Sequence, residues 1–185
     1  MQDITTRHFG LLIAYILPGV TSLWGLSQVF DPIEEWLTKN AAESPTIGGF
    51  LYLTLAAVTA GIAASTVRWV VVDTIHARTG VRQPEWNLAR LHRNVGAFDV
   101  FIENHYRYYQ HYANMLIAIS VGYACHRWSV GVGSTGVGWV DAGFVVGTTL
   151  LFFASRDALQ KYYERVGAML NEESGGVERR RNDRN

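Results

Sequence analysis

The densest run of chemically capable side chains lies between Asn104 and Asn114, where two histidines, an arginine, a glutamine, two asparagines and four tyrosines fall within eleven residues. On a helix, Arg107, His111 and Asn114 share one face, with Gln110 beside them, and that face enters the following apolar run by about two turns. Polar groups at such depth are costly unless they meet partners or water. The four residues are therefore expected to form a vestibule or polar face. The alternative for the same residues is an interfacial aromatic belt with salt-bridge partners. After Asn114 the run is apolar apart from Ser120, so a pore here would take the form of a vestibule closed by a hydrophobic constriction that gates by dewetting.

Other chemistries find less support. His105 and His111 are six residues apart and project roughly 120° from each other on a helix, which is poor for joint chelation. Asp73 and His76 have the spacing of half a metal site, but their expected neighbours are the basic Arg90 and Arg93. His111 and His126 bracket one apolar run, yet no other run holds an internal histidine to serve as an opposing haem ligand. Cys125 is the single cysteine and cannot close an intramolecular disulfide. Asp99 and Glu103 lie on one helical face, as acid/base chemistry uses, but no nucleophile elbow, phosphate loop or H-E-x-x-H pattern accompanies them. Neither a cofactor nor a metal nor an enzymatic reaction is expected. With 16 basic and 16 acidic residues and a net charge of zero, nucleic acid is not an expected partner.

The elements that must position these side chains are long and apolar. Uncharged runs extend from Phe9 to Phe30, Ser44 to Val67, Tyr108 to Cys125 and Ala142 to Ser155. The first three match the ~20 residues that cross a bilayer core of ~30 Å; the fourth reaches a workable length if Trp139 to Asp141 sit in the interface. The chain is expected to be all-α and polytopic, with four transmembrane helices at about 9–30, 45–68, 107–126 and 138–156 in a single membrane domain, 1–170. Pro18-Gly19 is expected to kink the first, retained helix. If the N-terminus is inside, only Lys39 and Arg127 lie outside, which fixes an N-in, C-in orientation. Trp24, Trp128 and Trp139 at outer ends and Trp69 at an inner end agree with it. Asp31-Pro32 begins a short outer amphipathic helix, 32–39, carrying Ile33, Trp36 and Leu37 on one side.

Helices two to four are expected to continue into the cytoplasm, over 68–79, 85–107 and 156–170, because Leu88, Leu91, Val95, Phe98 and Ile102 draw one apolar stripe and Leu159, Tyr162, Val166 and Met169 another. Three such extensions make a cytoplasmic helical bundle. Two antiparallel helices pair residues whose numbers have a constant sum. A sum of about 264 sets Asp99 against Arg165, Glu103 against Lys161 and Arg107 against Asp157, a ladder of opposite charges. The same reasoning at the tip between helices two and three sets Arg68 near Asp99 and Asp73 near Arg93. Small residues form helix-packing seams at Ala57, Gly61 and Ser65 and at Gly143 and Gly147, which serve packing within a chain or a homo-oligomer. Arg78, Arg82, Trp86, Arg90 and Arg93 are candidates for contact with anionic lipid or a partner. The tail 171–185 is expected to be disordered.

The function expected from this organisation is an oligomeric protein of the cell (inner) membrane, acting as a channel-like pore or membrane-perturbing effector controlled through its cytoplasmic bundle. The alternative is a non-conducting anchor or scaffold for a soluble cytoplasmic protein. Small bacterial membrane effectors share this architecture by analogy alone.

Overall fold

A computed structural model describes residues 12–42, 47–87, 91, 95–131 and 136–171 of the 185. Among them every regular element is helical. A π-helical turn, Leu12–Ile16, leads into α1 (Leu17–Ser27). Then follow α2 (Asp31–Ala42), α3 (Ile47–Arg78) and α4 (Val95–Phe101). A second π turn, Ile102–Tyr106, joins α4 to α5 (Arg107–Val130), and α6 (Trp139–Asn171) completes the chain.

Two helices, α3 and α6, are long and apolar enough to cross a membrane, and a third counts if α1 and α2, bent by 119° at their junction, form one broken span. The sequence expects four. The first run falls short unless it is joined to α2, and the third falls short because the 24 residues of α5 include polar groups such as Arg107, Gln110, His111 and Asn114. Tyr109, Gln110 and Asn114 are turned inward with Ala113, Ile117 and Ala118. This helix lies at the centre, packed on α1, α3 and α6, and a helix enclosed by other helices needs less apolar surface than one facing lipid.

Close approach holds the first helix to this centre. A Cβ on Gly19 would stand 1.8 Å from the Ala57 carbonyl oxygen, and one on Gly61 would stand 2.1 Å from that of Tyr15. Farther along, a Cβ on Gly25 would reach within 2.5 Å of the Gly122 Cα. The expected seam at Ala57 and Gly61 thus packs α3 against the first helix of the same chain. Gly143 and Gly147 behave differently, since among the described residues nothing lies within 4 Å of a Cβ on either. Their seam is open. At the end of the bundle that holds the α5–α6 connection, Tyr123 stacks on Phe144 at 3.9 Å and its hydroxyl donates to Asp141. The Asp141 carboxylate also accepts the Gly138 N–H at 2.6 Å, capping the start of α6 where carboxylates are favoured.

At the opposite end α3 stops in a Schellman turn. Gly80 has φ +98, and the Val81 N–H reaches the His76 carbonyl at 2.9 Å. A helix is expected from 85, but Val81 to Asn87 carry no helix and α4 starts only at Val95. Side-chain anchors explain the difference. Trp86 meets Tyr162 and Tyr163 edge-on at 6.0 and 6.1 Å, Pro84 borders Gly167, and Asn171 donates to the Glu85 carbonyl at 3.0 Å while accepting from the Asn87 N–H. Residues 81–87 are a strap laid across the end of α6. Arg68 and Asp73, expected near Asp99 and Arg93, lie beside Tyr109, and Arg93 lies outside the described residues. The α5–α6 register fares better: Tyr123–Asp141, Tyr106–Tyr162 and His105–Arg165 meet on or within a few residues of the expected sum. Of the tail expected to be disordered, only Asn171 is described, and it is helical.

The two seams respond oppositely to a methyl group. Gly61→Ala forces α3 from the first helix and is expected to cost ~1–3 kcal/mol of stability. Gly147→Ala meets open space and gains up to ~1 kcal/mol of helix propensity. Thermal unfolding of the two variants in detergent micelles checks this: Gly61→Ala melts below the parent and Gly147→Ala does not.

Candidate functional site

The polar face of α5 is occupied by the first helix. Pro18 has no N–H, so one donor is missing where the π turn Leu12–Ile16 passes into α1, for the Ile13 carbonyl in the π register or the Ala14 carbonyl in the α register. Asn114 Nδ2 donates to the Ala14 carbonyl at 2.8 Å, and His111 Nδ1 lies 3.0 Å from the Ile13 carbonyl. A carbonyl only accepts, so the His111 hydrogen is on Nδ1. Asn114 is fully buried and Gln110 nearly so. The Asn114 Oδ1, the Gln110 Oε1 and the Arg107 Nε have no hydrogen-bond partner. The residues expected to form a vestibule are brought together, and His111 and Asn114 of them repair the backbone of a neighbouring helix.

A second polar cluster begins one turn away. The Tyr109 hydroxyl donates to Asp73 Oδ1, and the Arg68 guanidinium lies 5.1 Å above the Tyr109 ring, with Nη1 3.6 Å from the same carboxylate oxygen. His76, completely buried, lies 3.0 Å from Ser155 Oγ through Nε2. Ser155 gives its own hydrogen to the Phe152 carbonyl at 2.8 Å. His76 must therefore donate through Nε2, which leaves Nδ1 as a buried nitrogen with no partner. The Ser155 hydroxyl is a structural donor. Arg156 closes the edge of this cluster, donating to the Thr79 carbonyl at 2.8 Å and to its hydroxyl. The pairs Arg68–Asp73 and His76–Ser155 escape sequence reasoning, which ties Asp73 to the arginines beyond the turn. The five-residue spacing of Arg68 and Asp73 gives no signal, since i,i+5 residues do not face each other on a helix.

The charge ladder is distributed differently from its expected pairing. Asp157 takes Lys161 of its own helix at 2.7 Å, the i,i+4 arrangement available without any register between helices. Arg165 Nη1 contacts His105 Nε2 at 2.6 Å. The Glu103 side chain lies outside the described residues, as do Arg90 and Arg93. Arg78 is exposed, and Arg82 donates Nε to the Ala77 carbonyl at 3.2 Å. Trp86 serves the strap and buries its Nε1 without a partner. Beside the strap opens a polar cleft of about 580 Å³, bordered by Arg82, Arg156, Gln160, Tyr163, Glu164 and Asn171. Among the described residues, no three His, Cys, Asp or Glu side chains converge in a metal-binding group.

His76 lies in the part of α3 beyond the expected span 45–68. Burial pushes its imidazole below the ordinary range, Arg156 acts in the same direction, and Asp73 opposes them. The folded chain therefore prefers neutral His76. As pH falls below about 6.5 the unfolded chain protonates first, so stability present above that pH is lost progressively until the folded value is passed. Melting temperature in micelles is expected to fall as pH is lowered below about 6.5, and His76→Gln to flatten that fall; an unchanged slope in the variant contradicts the assignment. No protein-family model, curated protein or solved structure matches this chain.

Proposed function

We propose that the protein is a non-conducting membrane scaffold of the cell membrane, with four spans and both termini inside, whose strap end is a cytoplasmic platform for a soluble protein. One observation carries this reading: α3 and α6 have 32 and 33 residues. At ~1.5 Å per residue they are nearly 50 Å long, against a hydrocarbon core of ~30 Å. The excess is ordered rather than frayed, because the strap ties the ends together through Trp86, Pro84 and Asn171. The polar cleft beside it, with both signs of charge, suits a folded partner better than lipid.

The distribution of arginines supports the orientation. The fourth crossing is assigned to α5, whose polar residues are shielded by its neighbours from the bilayer. Internal use of His111 and Asn114 weighs against conduction through one chain. A pore remains the second reading on a single observation, the open face at Gly143 and Gly147; several copies packed there would conduct between chains.

Liposome reconstitution separates the two. The scaffold reading expects no protein-dependent release of a trapped dye across a range of protein densities. It further expects a photocrosslinker at exposed Gln160 to capture one defined soluble protein in cells, and Trp86→Ala to abolish that adduct. Dye release that rises steeply with protein density contradicts it and favours the multi-chain pore.

A further inference from the structure

Between the first helix and α3 a cleft of about 710 Å³ opens along the outside of the bundle. Leu12, Ile16, Val58 and Ile62 make its walls apolar, and Arg68 with Trp69 stands at one end. From Val58 to Arg68 the helix rises about 15 Å, half of a ~30 Å hydrocarbon core and thus the depth of one leaflet. Trp69 is 68% exposed, in keeping with the interfacial depth that tryptophan prefers.

Arg68 is the unusual member. It is 5% exposed, and its Nε and Nη1 are buried without a hydrogen-bond partner among the described residues. Asp73 does not supply the deficit, because its Oδ1 is 3.6 Å from Nη1, beyond hydrogen-bond length, and already accepts from Tyr109. A guanidinium has five N–H donors and no acceptor, and unmade bonds to a buried charge are costly. An acidic oxygen at the end of an apolar cleft would meet that need with charge-assisted bonds.

We infer that this cleft binds one acidic phospholipid, with an acyl chain along Leu12, Ile16, Val58 and Ile62 and the phosphate on Arg68. The zwitterionic lipids of the same leaflet offer the chain and a phosphate, but bring a cationic group beside the guanidinium. The site discriminates by headgroup charge while its walls hold the chain. The inference rests on membrane residence and is independent of partner docking at the strap end.

Native mass spectrometry of the delipidated full chain tests it, with equimolar phosphatidylglycerol and phosphatidylcholine offered in detergent. The parent should retain phosphatidylglycerol over phosphatidylcholine by about tenfold. Arg68→Gln should erase the preference, and Ile62→Trp, which fills the cleft and leaves the guanidinium in place, should lower occupancy by phosphatidylglycerol to the level of phosphatidylcholine. Val145→Trp on the exposed face of α6 should change neither. Should Arg68→Gln fail to fold, the two tryptophan variants decide the matter. Equal retention of both lipids by the parent, or a preference that survives Ile62→Trp, overturns the inference. Inorganic phosphate bound as tightly as the lipid in an Arg68-dependent way also overturns it, by making this a site for free anions.

Discussion

A proline inside a helix removes a donor that a buried carbonyl needs, and within a packed bundle no bulk water replaces the loss. Pro18 creates that condition where the π turn meets α1, and the Ile13 and Ala14 carbonyls there are answered from α5 by His111 and Asn114. Much of the architecture follows from this contact. For Asn114 and His111 to reach the backbone of the first helix, the two helices must run close together, which the contact of Gly25 with Gly122 permits. For their polar face to be satisfied, α5 must be surrounded, and α3 and α6 take the outer positions and present their apolar sides. The long exposed apolar surfaces of α3 and α6 are the counterpart of the polar interior of α5.

Beyond this pairing the polar residues form layers. His111 and Asn114 bond the first helix, Tyr109 joins Asp73 and Arg68 of α3, and His76 joins α3 to α6 through Ser155. Each layer links a different pair of helices. The bundle is therefore specified in good part by side-chain hydrogen bonds between helices. The strap completes the set outside the expected spans, where aromatic packing of Trp86 on Tyr162 and Tyr163 takes over.

Much of this was legible in the residues. Helical class, the short helix after Asp31 and the long excess of α3 and α6 all follow from apolar runs and Asp-Pro capping. The polar face around His111 and Asn114 was visible as a costly feature in need of partners, but its partner was not, because a backbone carbonyl leaves no trace in side-chain sequence. Pro18 was the clue: a residue that removes a donor predicts that a donor is supplied elsewhere. The strap misled for a related reason. Leu88, Leu91 and Val95 repeat at helical spacing, but a helix does not include 85–87, which Trp86 and Asn171 tie to α6. Periodicity counts local preference and cannot weigh it against anchors nearly ninety residues away in the chain. Finally, the seams at Gly61 and Gly147 look alike in sequence, and only the neighbours distinguish a used seam from an open one.

The claim that α5 repairs the helix interrupted by Pro18 is open to a direct test by a double-mutant cycle in micelles. Pro18→Ala restores the N–H that bonds Ala14 from within the first helix, so the cost of Asn114→Leu should be ~1–2 kcal/mol smaller in the Pro18→Ala background than in the parent. Equal costs in both backgrounds would mean that Asn114 and Pro18 act independently, and the account of the central polar face as backbone repair would be wrong.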